Sequence, residues 1–212
     1  MTSPVGPDEM VTEAYQLEDE ASMLEFYRKW AEDYDRQMLQ GLGYLSPTKI
    51  AELLTSHLEN KESAILDIGC GTGLTSVYLA EQGFNRLDGI DLSEDMIRVA
   101  AQRGIYRELL VGDLNQPLDR DSAMYDAVIS SGTFTHGHVG PEPLDEIFRI
   151  LKPGGLLACT IHKELWDQEG FSAKLTQLVE SQIAEQMQLY DDQYFEDGPR
   201  EGWFCLYRRS GS

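Results

Sequence analysis

The sequence predicts an α/β protein built on a doubly wound, mostly parallel sheet of seven strands, with an antiparallel strand at one edge. Three observations predict it. Between Ala64 and Ile161, short apolar runs alternate with segments of helical period, the pattern of strands joined by crossover helices. The run Ile65-Leu66-Asp67-Ile68-Gly69-Cys70-Gly71-Thr72-Gly73 reads as a buried strand that turns on alternate glycines into a helix near Leu74. The last two strand-like segments, near 188–195 and 202–208, are divided by Asp197-Gly198-Pro199 and fit a hairpin, which supplies the antiparallel edge.

The elements follow in order. Residues 1–18 are polar, carry two prolines and show no clear period, which predicts a mobile tail. From Asp19 to Gln40 the positions Leu24, Tyr27, Ala31, Tyr34 and Met38 recur at helical spacing, predicting an amphipathic helix or helix pair that Gly41 and Gly43 end. Ser46-Pro47 reads as an N-cap and first helical residue of a helix to about Glu59, with Ile50, Leu53, Leu54 and Leu58 inward. Strands are expected at 64–68, 86–90, 108–111, 125–130 and 156–161, with helices at 74–82, after Ser93, at 143–151 and at 172–186. Glu94 and Asp95 suit the first turn of the helix that Ser93 opens.

Composition narrows the function. At 212 residues, with 42% hydrophobic and 25% charged side chains, the chain suits one globular domain. No apolar run approaches the ~20 residues of a membrane helix, and the first residues lack the basic and apolar regions of a signal peptide. Cys70, Cys159 and Cys205 are scattered and without C-x-x-C spacing, so neither disulfides nor zinc is expected and a cytoplasmic location is. Net charge is −20, from 37 acidic and 17 basic residues, and basic residues cluster no further than pairs such as Arg208-Arg209. That balance argues against a nucleic-acid partner. It steers cationic small molecules toward the surface, or simply keeps the chain in solution.

The glycine turn carries the chemistry. Backbone at such a turn approaches a ligand closely, and the helix that follows presents its N–H groups to an anionic moiety. A dinucleotide fingerprint needs a third glycine at position 74, which is Leu. Here the pattern is G-x-G-x-G, preceded by the acid Asp67. The second strand ends in Asp91, near the ~20-residue offset at which an acid meets ribose hydroxyls in such units. A carboxylate accepts from both hydroxyls of a diol at once. The third strand ends in Val111-Gly112-Asp113-Leu114, where an acid and the next N–H suit the edge of an adenine. Tyr125-Asp126 opens the fourth strand, and Lys152-Pro153-Gly154-Gly155 precedes the fifth.

In this order and spacing, residues 60–162 resemble the class I S-adenosylmethionine (SAM) methyltransferases of the small-molecule type. Phe26–Asp35 resembles the pre-core helix that closes over the cofactor in that group. With Gly132–Val139 it is similar to the methyltransferase-like proteins named after the Williams–Beuren syndrome region. The resemblance implies a Rossmann-like fold, a lid and tail over 1–45, and a methyltransferase domain over 46–212. It implies SAM as cofactor, S-adenosylhomocysteine as product, and a small-molecule acceptor methylated at O or N.

By the same resemblance, Asp67 and the backbone from Gly69 through Cys70, Gly71 and Gly73 hold the methionine moiety. Asp91 takes the ribose, Leu92 and Met96 border the adenine, and Asp113 with Leu114 reads its edge. Ser130 meets the methionine amino group through its carbonyl, and Tyr27, Trp30 and Tyr34 form the lid. Methyl transfer needs a base only when the acceptor is protonated; His136, just past the fourth strand, is the candidate, with His138 nearby. No metal is implied, and the oligomeric expectation is a monomer or homodimer. The strand 4 exit Ser130-Ser131-Gly132-Thr133-Phe134-Thr135 lacks the Pro-Pro element of amino-directed nucleic-acid methyltransferases. Two alternatives stay open: a SAM-binding regulator without turnover, and an NAD-linked oxidoreductase, which Leu74 argues against.

Overall fold

A computed structural model describes residues 6–17, 19–135, 139–198 and 200–211 of the chain. Strands β1 (Ile65–Ile68), β2 (Leu87–Asp91), β3 (Tyr106–Val111), β4 (Tyr125–Phe134), β5 (Leu151–His162), β6 (Ala184–Gln193) and β7 (Glu201–Arg209) form one sheet in the order β3-β2-β1-β4-β5-β7-β6. Neighbours from β3 to β5 are parallel, and β7 runs antiparallel to both β5 and β6. The chain winds outward from β1 to β3, then returns to β4 on the other side of β1. That reversal leaves a crevice beyond the carboxyl ends of β1 and β4, where open α/β sheets hold their ligands.

Period-two alternation along the strands divides the core into two layers. Leu66, Val128 and Leu157 face Leu144, Ile147 and Phe148 of α6 (Pro143–Ile150) and Leu175 and Leu178 of α8 (Phe171–Glu180). Ile65, Leu87, Ala127 and Ile129 face the other way, onto Ile50, Leu53 and Leu54 of α3 (Ser46–Thr55) and Leu79 of α4 (Leu74–Glu81). Each buried Leu, Ile, Val or Phe among them contributes about 1.5–3 kcal/mol. Helix α5 (Glu94–Ala101) begins as the sequence indicates: Ser93 Oγ accepts from Met96 N at 3.3 Å, with Glu94 and Asp95 in the first turn.

Several expectations change. The described part of the N-terminal segment is not a tail throughout, because Pro7–Ala14 forms helix α1 with Val11 and Ala14 buried. Arg200 anchors it from the far end of the chain, its Nη2 donating to Thr12 Oγ1 at 2.8 Å. Two buried positions in eight residues are too few for a period to show. The segment 19–40 divides into α2 (Glu20–Trp30) and a π-helical turn at Arg36–Gly41. Ser46 makes no cap; Leu45 holds that place, and Ser46 Oγ instead meets Ser131 Oγ at 2.9 Å. Helix α3 stops at Thr55, short of Glu59, and α8 stops at Glu180, where Ala184 opens β6. A short helix α7 (Leu165–Gln168), absent from the sequence reading, follows β5.

Asp88 shows how a buried charge is held in the sheet. Its side chain is 3% exposed and receives Arg107 Nε at 3.1 Å, Arg107 Nη2 at 2.6 Å and the Tyr125 hydroxyl at 3.1 Å. Removing one partner of such a pair strands the other charge. Arg107 is itself partly exposed, so solvent screens part of the loss. Arg107→Ala is therefore expected to cost about 2 kcal/mol, a fall in melting temperature of roughly 4–8 °C, readable by thermal denaturation.

Candidate cofactor site

The site is built on the turn that leaves β1. Gly69, Gly71 and Gly73 have φ of 62°, 53° and 92°, the left-handed region that residues with a Cβ adopt at a penalty. At Gly69 space adds to the backbone demand: a Cβ there would stand 2.0 Å from Thr133 Oγ1. The turn is pinned from below by Cys70 N donating to Ile90 O at 3.0 Å, and closed by Gly73 N donating to Cys70 O at 2.8 Å.

Asp91, at the end of β2, is oriented by this turn. Its Oδ2 accepts from Gly71 N at 2.8 Å and its Oδ1 from Ser93 N at 2.9 Å. The Gly71 N–H is thus spent on Asp91 and not held out to a ligand. Each carboxylate oxygen keeps a second lone pair, which suits a vicinal diol. Burial, the main cause, pushes the Asp91 carboxyl above the ordinary aspartate value, against the backbone donors at Ser93, Gly71 and Leu92.

A cleft with about 780 Å³ of empty space, its open mouth included, lies over the turn. That is a small-molecule volume. Of the residues indicated by the sequence, Tyr27, Tyr34, Gly69, Gly71, Asp91, Leu92, Met96, Asp113 and Leu114 line it. Ser131, Gly132 and Thr133 complete the wall at the end of β4, with Met23 and Leu24 from α2 above. Asp113 Oδ1 accepts from Asn115 N at 2.8 Å, which fixes the loop after β3.

Trp30, Asp67, Cys70, Gly73 and Ser130 stand behind this wall. Trp30 is buried in the lid, its ring 4.8 Å from that of Tyr34 and 5.4 Å from that of Phe26, and its Nε1 donates to Gln37 Oε1 at 3.0 Å. Ser130 is buried and donates its Oγ to Ile68 O at 2.9 Å, while Thr133 Oγ1 reaches the same carbonyl at 3.1 Å. Cys70 is buried, and its thiol is pushed well above its usual range by desolvation first, then by Asp67 and Asp91. It carries no thiolate at neutral pH. Gly73 serves as the N-cap of α4. His136 and His138 lie outside the described residues.

Asp67 is the least settled group in the site. Its Oδ2 accepts from Ser76 Oγ at 2.7 Å and from Tyr106 OH at 3.1 Å, while Oδ1 is buried and has no partner among the described residues. Burial raises its carboxyl from 3.8 to about 7 in spite of those donors, with Asp91 adding to the rise. Asp91 and Asp113 line the cleft with Asp67 buried behind its wall, and among the described residues no Lys, Arg or His lines it. Burial also raises the Tyr27 and Tyr34 phenols, which stay neutral. The cleft is therefore built for a ligand that brings positive charge.

Sequence reasoning missed Ser131 to Thr133 because β4 runs four residues past its expected end at Ser130, to Phe134. The hydroxyls behind them, Ser46 and Tyr44, 2.9 and 3.4 Å from Ser131 Oγ, come from a distant segment. Their sequence signal was the serine read as a helix cap.

Comparison with known proteins agrees with this geometry. Residues 65–155 match the family described as "Methyltransferase domain". The chain is 36% identical over 153 residues to human methyltransferase-like protein 27, covering 71% of this chain and 62% of that protein. It is 39% identical over 79 residues to the 18S rRNA (guanine-N(7))-methyltransferase RID2 of Arabidopsis thaliana, covering 37% of this chain and 27% of that one. The chain thus spans less than two thirds of the length of these relatives. In fold it is similar to a candidate SAM-dependent methyltransferase from Methanococcus maripaludis, with a TM-score of 0.66 at 20% identity over 87% of this chain and 94% of that one.

A cationic sulfonium ligand suits the acid-lined cleft, and the orphaned Asp67 oxygen and the diol-ready Asp91 fit its other parts. Sheet order, glycine turn, acid placement and the family match over residues 65–155 together support a class I SAM-dependent methyltransferase domain, with SAM as its cofactor.

Proposed function

We propose that the protein transfers a methyl group from SAM to an oxygen or nitrogen of a small-molecule acceptor. The observation that carries this reading is the shape and charge of the cleft. It is roofed by α2 with Tyr27, and by Tyr34 just beyond it, walled by acids, and set in a chain of net charge −20. A polyanion such as RNA gains nothing from that field. A small neutral or cationic acceptor fits beneath the roof.

SAM supplies an electrophilic methyl group on a sulfonium when bound. The protein's part is placement. Asp91 orients the nucleoside end, while Asp67, the glycine turn and the Ser131–Thr133 backbone border the amino-acid end. Tyr27 and Tyr34 cover the opening and exclude water. Such positioning brings the acceptor atom within ~3–3.5 Å of the methyl group in line with the breaking bond, which accounts for most of the catalysis required. His136 is the proposed base for a protonated acceptor.

The test is incubation with methyl-labelled SAM and a panel of small amines, phenols and carboxylic acids, with RNA as a further arm. Formation of S-adenosylhomocysteine with a small acceptor supports the proposal, and transfer to RNA alone refutes the acceptor class. Binding of SAM without turnover on any acceptor instead supports a SAM-binding regulator. On the true acceptor, His136→Ala is expected to lower kcat about 10²-fold, as for other general bases. Full activity would remove His136 from the mechanism.

A further inference from the structure

The glycine turn is gripped from outside the cleft by a junction that its sequence motif does not contain. Thr72, between the second and third glycines, is 1% exposed and donates its hydroxyl to Asp35. Arg103, just past α5, pairs with the same Asp35 carboxylate and donates its Nε to the Thr72 carbonyl. Three segments distant in sequence therefore meet on one peptide. Gly73 makes room for this arrangement, because a Cβ there would lie 3.2 Å from Arg103 Cδ and Nε and 3.0 Å from the Tyr106 hydroxyl.

Asp35 also belongs to the lid. It lies between α2, which carries Tyr27, and the π-helical turn at Arg36–Gly41, one residue after Tyr34. A second tie runs from Glu32 to Arg98 Nη1 at 2.6 Å, but both side chains are more than half exposed, so it holds little. The Asp35–Arg103 pair is more enclosed, with 33% and 21% of the side chains exposed, and each partner also bonds Thr72.

Resting on the reading that the glycine turn holds the cofactor, we propose that Asp35 and Arg103 are positioning residues that shape the turn through Thr72 and couple closure of the α2 lid to occupancy of the cleft. Neither residue lines the cleft. Losing either frees Thr72 to rotate its peptide, and the lid loses its most enclosed attachment to the turn. Cofactor affinity and lid order then fall together.

The experiment uses the full chain with Asp35→Ala, Arg103→Ala, the double variant, and the milder Asp35→Asn and Arg103→Lys. SAM affinity is measured by titration calorimetry, and lid order by limited proteolysis of segment 19–45 with and without SAM. Each alanine variant is expected to weaken SAM binding about tenfold, or about 1.4 kcal/mol. The double variant should be no worse than either single one, because all three groups act as a unit. In the parent protein SAM should protect the lid from cleavage, and in the alanine variants that protection should be lost. Arg103→Lys, which keeps the charge, should recover part of both. Asp35→Asn answers the question if the alanine variants unfold.

Affinities within twofold of the parent, additive losses in the double variant, or weakened binding with lid protection intact would each overturn the proposal. If the parent itself binds no SAM, the cofactor reading fails first, and that outcome is distinct from these.

Discussion

Replacing Gly69 with alanine is expected to eliminate measurable SAM binding and to destabilise the protein by about 3 kcal/mol. Two independent penalties add. Holding a residue with a Cβ at φ of 62° costs about 1–2 kcal/mol. The new Cβ also stands 2.0 Å from Thr133 Oγ1, which cannot simply rotate away because it is bonded to Ile68 O. Overpacking of that kind costs about 1–3 kcal/mol. The melting temperature should fall by roughly 6–12 °C.

A second change separates the two penalties: Thr133→Ala in the same chain should relieve most of the steric part, leaving a 2.9 Å contact with the Cβ of residue 133 and the backbone part. Gly71→Ala serves as the contrast. Among the described residues nothing lies within 4 Å of its added Cβ, so its stability loss in the unliganded protein should be the smaller, backbone part alone. An equal loss at both positions would show that the close approach of Thr133 to the turn is misjudged.

Asp67→Asn is expected to make the unliganded protein more stable at pH 8, by up to about 4 kcal/mol, while weakening SAM binding at least tenfold. Burial holds the Asp67 carboxyl at about 7 in the folded protein, against 3.8 in an open chain. That difference of about three units corresponds to about 4 kcal/mol. The folded state keeps a proton that the unfolded chain gives up. The stability linked to it is complete below about pH 4 and is lost as pH rises to about 7.

Asparagine carries no such penalty, and its oxygen still accepts from Ser76 and Tyr106. Thermal melts of both proteins between pH 4 and pH 8 should therefore converge in acid and separate in base. The same logic applies to the ligand: a cation beside Asp67 displaces its proton, so SAM should bind the parent more tightly as pH rises from about 6 to 8. Calorimetry in buffers of different ionisation enthalpy should show the proton released. An Asp67→Asn protein less stable than the parent at every pH would show that the carboxylate is structurally required.

Much of this was legible in the sequence because it depends on local demands. Alternating glycines in a strand-to-helix turn need positive φ, and Gly69, Gly71 and Gly73 all have it. Ser93 and its acids mark a helix start whose cap forms as expected. Asp91 sits where its spacing from the turn places it. The failures share a different cause. Helix α1 depends on Arg200, Ser46 on Ser131, and Thr72 on Asp35 and Arg103. Each is fixed by a partner far away in sequence, and no local period or spacing carries that information. Trp30 shows the remaining ambiguity of an amphipathic helix: its position in the stripe does not say whether it faces the ligand or supports the rings that do.

The acid-lined cleft over the glycine turn stands or falls as a SAM site on the binding of that ligand. Titration calorimetry of the full chain with SAM and, separately, with NAD tests it most directly. One molecule of SAM should bind per chain, with the affinity lost in Gly69→Ala, and NAD should give no heat. Heat with NAD and none with SAM would show that the cleft is not a SAM site.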